Sequence, residues 1–402
     1  MADVRILFLK LILSYLICDV NSDCVLSLKK DFGNPGPVFI RNDEYLVPNM
    51  NNGDIFFRRS ETVLVSCPGK KGKIVLNNIT SNYEVLEAKC VNGSKFQVDG
   101  SALEFKEIRC NTQPIYTTED SGKNCAGKRR IHNVGYRIKN KFYRIYSACF
   151  DHGTLNTPYV QHELSPASYY LQANIGRRPP FIEGTLFEKI PMSKLYNQQN
   201  QKSRLDSILG PDMSKQYITK KQFLSRGHLA ARADFTTSAA SRASFHYVNT
   251  APQWQRGNAG DWAALEEALR RRVKAIGHEV QVYTGTHGVM TLPDKDGRMQ
   301  DFYLHVDNNN NGLVPVPMYF YKLVYDPVTK AAAGFVSINS SFYNNTMIND
   351  LQFCEDICQD NSKFKWLSWR SNDGTHSFCC DYDQFVNKID YLPKMNVKGL
   401  FY

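Results

Sequence analysis

The segment FLSRGHLAARADF spans residues 223–235. Its composition predicts the edge of a strand or an adjoining loop. Gly227 has no side chain, so the backbone between Arg226 and His228 can approach a ligand closely. The segment therefore places a cation and a titratable imidazole on either side of one open backbone position.

A helix is predicted shortly downstream, beginning within YVNTAPQWQRGNAGDWAALEEALRRR, residues 247–272. From about Asp261, apolar residues recur every three or four positions, which is the pattern of a helix with one face in a core. The members of this stripe are Leu265, Leu269, Val273 and Ile276. Glu266 and Arg270 lie four residues apart and so project from one face of the same helix.

The polar residues near these elements suit chemistry on a phosphodiester. Asn258 lies in a glycine-flanked loop before the helix, and an amide oxygen is a hard ligand of the kind that Mg²⁺ prefers. A neutral His228 could take a proton from water, while a metal and arginines stabilise the charge on the phosphorane. Each residue alone also has an ordinary interpretation, since His228 could be structural and Glu266 with Arg270 could form a solvated salt bridge.

Taken together, the residues resemble the DNA/RNA non-specific endonucleases, the ββα-metal family that includes secreted bacterial nucleases and mitochondrial endonuclease G. In that family Arg-Gly-His is followed at fixed intervals by Asn, a metal-binding Asn, Glu and Arg. From His228 the intervals in this chain are 21, 30, 38 and 42 residues, to Asn249, Asn258, Glu266 and Arg270. One position departs from the bacterial pattern, because Ser225 stands where those members have Asp.

The resemblance, which spans roughly residues 135–390, implies an activity. It implies a Mg²⁺-dependent endonuclease that hydrolyses DNA without sequence specificity and leaves 5′-phosphate ends, with Mn²⁺ as a possible substitute for Mg²⁺. Contacts with phosphates carry no sequence information, which fits a sequence-tolerant enzyme. Double-stranded DNA is the expected substrate, with single-stranded DNA and RNA as further candidates, because the sequence does not display the groove contacts that would choose among them.

The resemblance also assigns roles to individual residues. Asn258 would bind the metal, His228 would act as the general base, and Glu266 would orient a water in the metal's shell. Asn249 would orient active-site groups through its amide. The residues implied to contact the substrate phosphate are Arg226, Arg270 and Gln253.

The length and composition predict two domains and an α+β fold. A chain of 402 residues with 42% apolar residues can bury a large core. Short β-rich runs separated by turn residues predict a disulfide-stapled β-rich accessory domain at residues 23–130. Residues 131–402 are predicted to form the ββα-metal nuclease domain, with a central antiparallel sheet flanked by helices and a disulfide-linked C-terminal cap.

The N-terminus predicts secretion. Residues 1–22 combine Arg5 and Lys10 with an apolar run, followed by Val20 and Ser22 at positions that suit a cleavage site, which is typical of a signal peptide. A short membrane anchor is the alternative, although the run is too short to span a bilayer. We therefore expect a soluble, extracellular protein with no membrane partner. Its oligomeric state stays open.

The cysteines agree with an oxidising compartment. Of the eleven, Cys18 would leave with the signal peptide, and ten suit five disulfides. They form a group between Cys24 and Cys149 and a group between Cys354 and Cys380, and we expect pairing within each group. A zinc site in the second group is a weaker alternative, because adjacent cysteines fit tetrahedral coordination poorly. These features together are most similar to arthropod secreted members of the family, which include duplex-specific, salivary and gut nucleases.

Glycosylation is expected as well. Four Asn-x-Ser/Thr sequons predict surface glycosylation, at Asn78, Asn92, Asn339 and Asn344.

The net charge leaves a second function class open. A formal charge of +10 suits binding to nucleic acid, heparin-like polymers or anionic membranes. The basic, aromatic hairpin predicted at residues 128–146 could follow a phosphate backbone, or could be a half-buried strand pair with a solvated face. The alternative function is therefore a secreted nucleic-acid-binding protein with weak or residual nuclease activity. A third, a secreted inhibitor or adhesion protein, would place all activity in residues 23–127.

Overall fold

The computed structural model describes residues 23–402 except 174–175, 188–189, 360, 368 and 370–375. The predicted signal peptide at residues 1–22 lies outside the described residues. Within them, no helix is long and apolar enough to cross a membrane. The chain divides into two compact units, one that ends at Ile115 and includes Tyr170–Gly176, and one that comprises Tyr116–Tyr169 and Arg177–Tyr402.

The first unit consists of short strands, as its alternating β-rich runs predict. The strands are β1 Cys24–Ser27, β2 Val38–Arg41, β3 Glu44–Tyr45, β4 Asp54–Phe57, β5 Thr62–Ser66, β6 Ile74–Leu76, β7 Ile79–Thr80, β8 Val85–Asn92, β9 Lys95–Val98, β10 Ser101–Glu104 and β11 Ile108–Cys110. The largest sheet has the strand order β10-β9-β8-β5-β2-β3. Phenylalanine rings fill its core, with Phe105 packed against Phe39 and Phe96 at 4.9 and 4.8 Å between ring centroids.

The second unit is organised around one large antiparallel sheet. Its strands are β12 Thr117–Asn124, β13 Arg130–Ile138, β14 Lys141–Asp151, β15 Asn156–Leu164, β16 Leu224–His228, β17 Thr250–Trp254, β18 Val280–Val289, β19 Thr291–Pro293, β20 Met299–Asp301, β21 Tyr303–Val306, β22 Gly312–Pro315, β23 Pro317–Asp326, β24 Ala331–Ile338, β25 His376–Cys380 and β26 Gly399–Leu400. The sheet has the order β12-β13-β14-β15-β18-β23-β24-β25, and β26 pairs with β24 in parallel. Strand β24 is buried along its whole length, which explains its continuous apolar sequence.

The boundary between the units lies upstream of the expected boundary at residues 130/131. Strand β12 causes the difference, because it pairs with β13 from Thr117 opposite Gly135 to Asn124 opposite Arg130. These hydrogen bonds assign the segment to the second unit. Its sequence, TTEDSGKN, contains no apolar residue, so a pattern of alternating hydrophobicity could not reveal it.

Helices pack around the sheet of the second unit. They are α1 Met192–Leu195, α2 Gln198–Leu209, α3 Ser214–Tyr217, α4 Ser238–Ala243, α5 Gln255–Gly257, α6 Ala263–Ile276, α7 Asn345–Leu351 and α8 Tyr382–Lys388. Helix α6 is the predicted amphipathic helix, and its Leu265, Leu269 and Val273 are buried. A π-type turn at Asn258–Trp262, kinked at Gly260, precedes it, so the regular helix starts two residues later than Asp261.

All ten cysteines in the described residues form disulfides. The first group pairs as Cys24–Cys90, Cys67–Cys110 and Cys125–Cys149, and the second as Cys354–Cys380 and Cys358–Cys379. Pairing within each group is therefore confirmed, and the zinc alternative is wrong. Adjacent residues of a strand point to opposite faces, so Cys379 and Cys380 in β25 reach different partners.

The basic hairpin is a strand pair whose arginines are largely neutralised. Strands β13 and β14 pair along their length, and Val134, Tyr136 and Tyr146 are buried. Carboxylates lie beside three of its cations, which pair as Arg129 with Asp151, Arg130 with Asp120, and Arg137 with Glu119. These ion pairs favour the interpretation as a half-buried strand pair over a surface that tracks phosphates.

One of the four sequons is not on the surface. Asn78, Asn92 and Asn344 are exposed, whereas Asn339 is 5% exposed. Its Nδ2 donates to the carbonyls of Pro252 and Pro317, both at 3.0 Å, and its Oδ1 accepts from the Trp254 N–H at 3.0 Å. The expected surface glycosylation at Asn339 is therefore wrong, because this amide joins β17 to β23.

Replacing Asn339 by alanine is expected to lower the free energy of unfolding by about 2–4 kcal/mol, because a buried N–H and two carbonyls lose their partners. Urea unfolding followed by tryptophan fluorescence measures the change. The control is Asn345→Ala at an exposed position, for which we expect a change within about 0.5 kcal/mol. Equal unfolding midpoints for Asn339→Ala and the unsubstituted protein would contradict this structural role.

Candidate functional site

Arg226, His228 and Gln253 lie on an antiparallel strand pair, called the hairpin, and Glu266 and Arg270 lie on the helix that follows it. Asn249 directly precedes the second strand, and Asn258 lies in the turn before the helix. Strands β16 and β17 pair antiparallel, from Leu224 opposite Trp254 to His228 opposite Thr250. The chain then passes through α5 and the π-type turn into α6. Alternation along β16 places Arg226 and His228 on one face, and both contact the ring of Phe181.

Three buried side-chain amides fix this hairpin. Gln201 of α2 both donates to the carbonyl of Leu224 and accepts from its N–H, at 2.8 and 2.9 Å, at the start of β16. Asn249 binds the backbone just beyond the end of β16, and Asn339 binds the backbone of β17. The backbone that carries Arg226 and His228 is therefore held at both ends.

Asn249 acts on His228 only through the backbone. It is fully buried, its Oδ1 accepts from the Ala230 N–H at 2.8 Å, and its Nδ2 donates to the carbonyls of Ala230 and Ser244, both at 2.9 Å. These bonds use both N–H donors and the oxygen of the amide. The side chain of Asn249 thus holds the backbone just after His228, and none of its hydrogen bonds goes to the imidazole.

The imidazole of His228 is kept neutral. Its ring packs against Phe181 and Phe245, each at 5.1 Å between centroids, and its buried Nε2 has no hydrogen-bond partner among the described residues. Burial, with a further contribution from three neighbouring cations, lowers the pKa of His228 to about 3; the cations are Arg178, Arg232 and Lys322. A neutral ring with an uncommitted nitrogen can accept a proton.

Asn258 keeps its amide oxygen uncommitted. Its Nδ2 donates to Ser225 Oγ at 2.9 Å, and Ser225 Oγ in turn donates to the carbonyl of Gln253 at 2.9 Å. No hydrogen bond from a described residue reaches Oδ1 of Asn258. This oxygen is available to a hard cation.

Glu266 lies beside a buried lysine. Its Oε1 is 3.9 Å from Nζ of Lys322, which donates to the carbonyl of Leu229 at 3.1 Å and to Thr284 Oγ1 at 2.9 Å. Burial raises the pKa of Glu266 and Asp234 adds to the increase, while the charges of Lys322 and Arg270 oppose it, so that the net pKa is about 7. The carboxyl group is therefore close to half-protonated at neutral pH in the metal-free protein.

Arg270 is anchored by a buried ion pair. Its NH1 donates to Asp234 Oδ1 at 3.0 Å, and Asp234 Oδ2 is 2.9 Å from Nε2 of His162. Burial alone would raise the pKa of Asp234, but the His162 hydrogen bond and the charges of His162, Arg270 and Lys322 lower it to about 2. Asp234 is thus ionised and holds the guanidinium in place.

Aromatic rings fix Arg226. Its Cζ lies over Tyr196, Phe181 and Tyr247, at 4.9, 5.5 and 5.6 Å from the ring centroids. Its Nε also donates to the hydroxyl of Tyr247 at 3.0 Å. Because the side chain stays partly exposed, part of a preoriented guanidinium faces outward.

Gln253 is not placed to contact a substrate. It is 2% exposed, and its Oε1 has no partner among the described residues. A Cβ added at Gly227 would lie 2.3 Å from this oxygen, so the Gln253 side chain occupies the space that Gly227 leaves. The absent side chain at Gly227 serves internal packing, which corrects both the substrate-binding role expected for Gln253 and the ligand approach expected at Gly227.

Several charged residues of the site were not expected. Lys322 could have been found, because it is the single positive charge within the apolar strand β23. Asp234 follows His228 closely in the quoted motif, but nothing in its spacing reveals that it pairs with Arg270. Arg178 and Arg232 carry no sequence signal that separates them from solvated arginines.

A neutral base, a free amide oxygen and fixed guanidinium groups suit hydrolysis of phosphodiesters, the chemistry of nucleases. The sequence model of the DNA/RNA non-specific endonucleases matches residues 127–385, and the chain belongs to this family. The protein is thus an endonuclease with a nucleic acid as substrate, from a family of metal-dependent enzymes. The resemblance found from the sequence motif is confirmed.

Two salivary proteins and one solved structure are similar to this chain. A salivary endonuclease of Lutzomyia longipalpis is 29% identical over 392 residues, which cover 93% of this chain and 86% of the relative. The salivary protein Tsal2A of Glossina morsitans morsitans is 23% identical over 398 residues, 95% of each chain. A chain from the crystal structure of the EndoG/EndoGI complex is 18% identical, with a TM-score of 0.36 over 65% of this chain and 89% of that chain.

The raised pKa of Glu266 predicts how pH changes stability in the metal-free protein. Between about pH 4.5 and 7 the folded protein keeps a proton that the unfolded chain has lost. This contribution to stability is complete below pH 4.5 and is lost as pH rises through 7. Glu266→Gln lacks the ionisation, so its stability relative to the unsubstituted protein should increase by up to about 3 kcal/mol between about pH 5 and 8.

Thermal unfolding in chelator, measured for both proteins across this range, tests the prediction. Glu267→Gln controls for loss of a carboxylate at an exposed position of the same helix. A stability difference between Glu266→Gln and the unsubstituted protein that stays constant or reverses with pH would show that Glu266 ionises normally.

Proposed function

We propose that the protein is a secreted, Mg²⁺-dependent endonuclease that hydrolyses DNA without sequence specificity and leaves 5′-phosphate and 3′-hydroxyl ends. Double-stranded DNA is the proposed main substrate, and single-stranded DNA and RNA are further ones. The observation that carries the proposal is a neutral His228 with an unpartnered Nε2 on a hairpin that also fixes an uncommitted Asn258 oxygen. The strand pair followed by helix α6 supports the proposed ββα-metal arrangement.

The donor atoms fit Mg²⁺, which prefers oxygen ligands and keeps most of its water. Asn258 would hold the ion through Oδ1, and Glu266 would accept hydrogen bonds from the surrounding water. When bound, the ion would stabilise negative charge on the leaving 3′ oxygen. Mn²⁺ would substitute, because it accepts the same oxygen donors.

His228 would act as the general base. It would remove a proton from the water whose oxygen bonds to phosphorus while the bond from phosphorus to the 3′ oxygen breaks. The cations near the ring depress its pKa in the free protein. A bound phosphodiester brings a negative charge next to them and raises this pKa, so the base would gain strength when substrate is present.

Arginines would stabilise the charge that develops on the phosphate. Arg226 is preoriented by aromatic rings, and Arg270 is preoriented by Asp234. Such groups need little reorganisation during the reaction, which is the main source of electrostatic catalysis. Arg178 and Arg232 add positive charge near His228. None of these contacts distinguishes one base from another, which supports cleavage without sequence specificity.

The protein is also proposed to be secreted, and its N-terminal unit is proposed to have an accessory role. Five disulfides and the salivary relatives support an extracellular location, as does the signal-like segment at residues 1–22. The β-rich unit up to Ile115 contributes none of the site residues, so we assign it an accessory role.

His228→Ala should reduce the rate of cleavage by about 10²–10⁴-fold, because the attacking water loses its general base. Purified full-length protein, double-stranded DNA and Mg²⁺ in a gel assay provide the measurement, with chelator added in parallel. His287→Ala is a matched control. His287 and Thr284 lie three residues apart on β18, so their side chains point to opposite faces of the sheet, and Lys322 lies on the face of Thr284.

We expect His287→Ala to cleave within a few-fold of the unsubstituted rate. Full activity of His228→Ala would remove His228 from the mechanism. DNA that is retarded but uncut by the unsubstituted protein would instead favour a nucleic-acid-binding function.

A further inference from the structure

Ser225 connects the proposed metal ligand to the backbone of the hairpin. It lies opposite Gln253 in the pairing of β16 with β17. Its Oγ donates to the Gln253 carbonyl and accepts from Nδ2 of Asn258, each at 2.9 Å. One hydroxyl thus bridges a fixed carbonyl and the side chain of Asn258.

The direction of these two bonds determines which way the amide faces. A hydroxyl carries a single proton, and the Gln253 carbonyl can only accept it. Toward Asn258 the Ser225 oxygen can therefore only accept, so the amide must present its NH₂ group. Oδ1 of Asn258 then has to face away from Ser225, where no described residue donates to it.

We propose that the Ser225 hydroxyl is a positioning group that holds the Asn258 amide in its metal-binding orientation, an inference that rests on the proposed function. Without the hydroxyl, rotation about the terminal side-chain bond interchanges Oδ1 and Nδ2 at modest cost. An amide that presents NH₂ to a cation repels it. Apparent affinity falls as the competent orientation becomes less populated, and loss of a group that orients a ligand typically weakens metal binding by about 10–100-fold.

A carboxylate at this position could accept from Nδ2 of Asn258, but it could not also bind the Gln253 carbonyl. It accepts hydrogen bonds but has no proton for the Gln253 carbonyl, which would face it at hydrogen-bonding distance. The serine hydroxyl satisfies both neighbours at once. Ser225 can therefore stand in place of an acidic residue. It acts on the proposed metal ligand, Asn258, rather than on the proposed base, His228.

The test is Mn²⁺ binding to metal-free, full-length protein without nucleic acid, measured by electron paramagnetic resonance of the free ion. Threonine and valine have the same shape and differ by the hydroxyl, so Ser225→Thr and Ser225→Val form a matched pair. Ser225→Thr should bind Mn²⁺ within about threefold of the unsubstituted protein, whereas Ser225→Val and Ser225→Ala should bind about 10–100-fold more weakly. Ser203→Ala, at an exposed serine of α2, controls for a serine lost elsewhere.

Asn258→Ala separates this inference from the proposed function. If Asn258→Ala abolishes Mn²⁺ binding while Ser225→Val and Ser225→Ala bind as tightly as the unsubstituted protein, the role of Ser225 is overturned and the metal ligand stands. If Asn258→Ala leaves binding unchanged, or if the unsubstituted protein binds no Mn²⁺, both assignments fall. Equal weakening in Ser225→Thr and Ser225→Val would also overturn the role of the hydroxyl.

Discussion

The ammonium group of Lys322 is the point at which the central sheet, the hairpin and helix α6 meet. It is 1% exposed, donates to the Leu229 carbonyl beyond β16 and to Thr284 of β18, and lies 3.9 Å from Glu266. A buried charge costs several kcal/mol unless opposite charges and hydrogen bonds offset the loss of water. Here Asp234, which is ionised, and Glu266 in its ionised form supply the opposite charge. The relative placement of hairpin and helix therefore depends on one buried electrostatic network.

Hydrogen-bonded and unpaired polar groups have different roles in this region. The amides of Gln201, Asn249 and Asn339 are hydrogen-bonded to backbone, and they hold the two strands. Buried polar groups are almost always paired in this way, so an unpaired one calls for a reason. Nε2 of His228 is a buried atom of this unpaired kind, and Oδ1 of Asn258, on a half-buried side chain, accepts no hydrogen bond from the described residues. The proposed chemistry uses these two atoms, one for a proton and one for a metal.

Local patterns predicted much of this architecture, and long-range pairing explains what they missed. Helix α6 follows from its apolar stripe, and the hairpin of β13 and β14 follows from alternation around a turn. The polar strand β12 has no such pattern, because its pairing with β13 alone makes it a strand. Asn339 and Gln253 look like surface residues in the sequence, yet their environments come from segments far along the chain or across the hairpin. The ion pair of Arg270 with Asp234 likewise corresponds to no pattern in the sequence.

The most direct measurement is a crystal of the protein soaked with Mn²⁺, with data collected at a wavelength where manganese scatters anomalously. The proposed mechanism predicts an anomalous peak within coordination distance of Asn258 Oδ1, with Glu266 reaching it through water and His228 not coordinated to it. A manganese ion bound directly by His228 would leave the imidazole without a free nitrogen for the proton. That result, or a peak only at sites remote from Asn258, would contradict the mechanism.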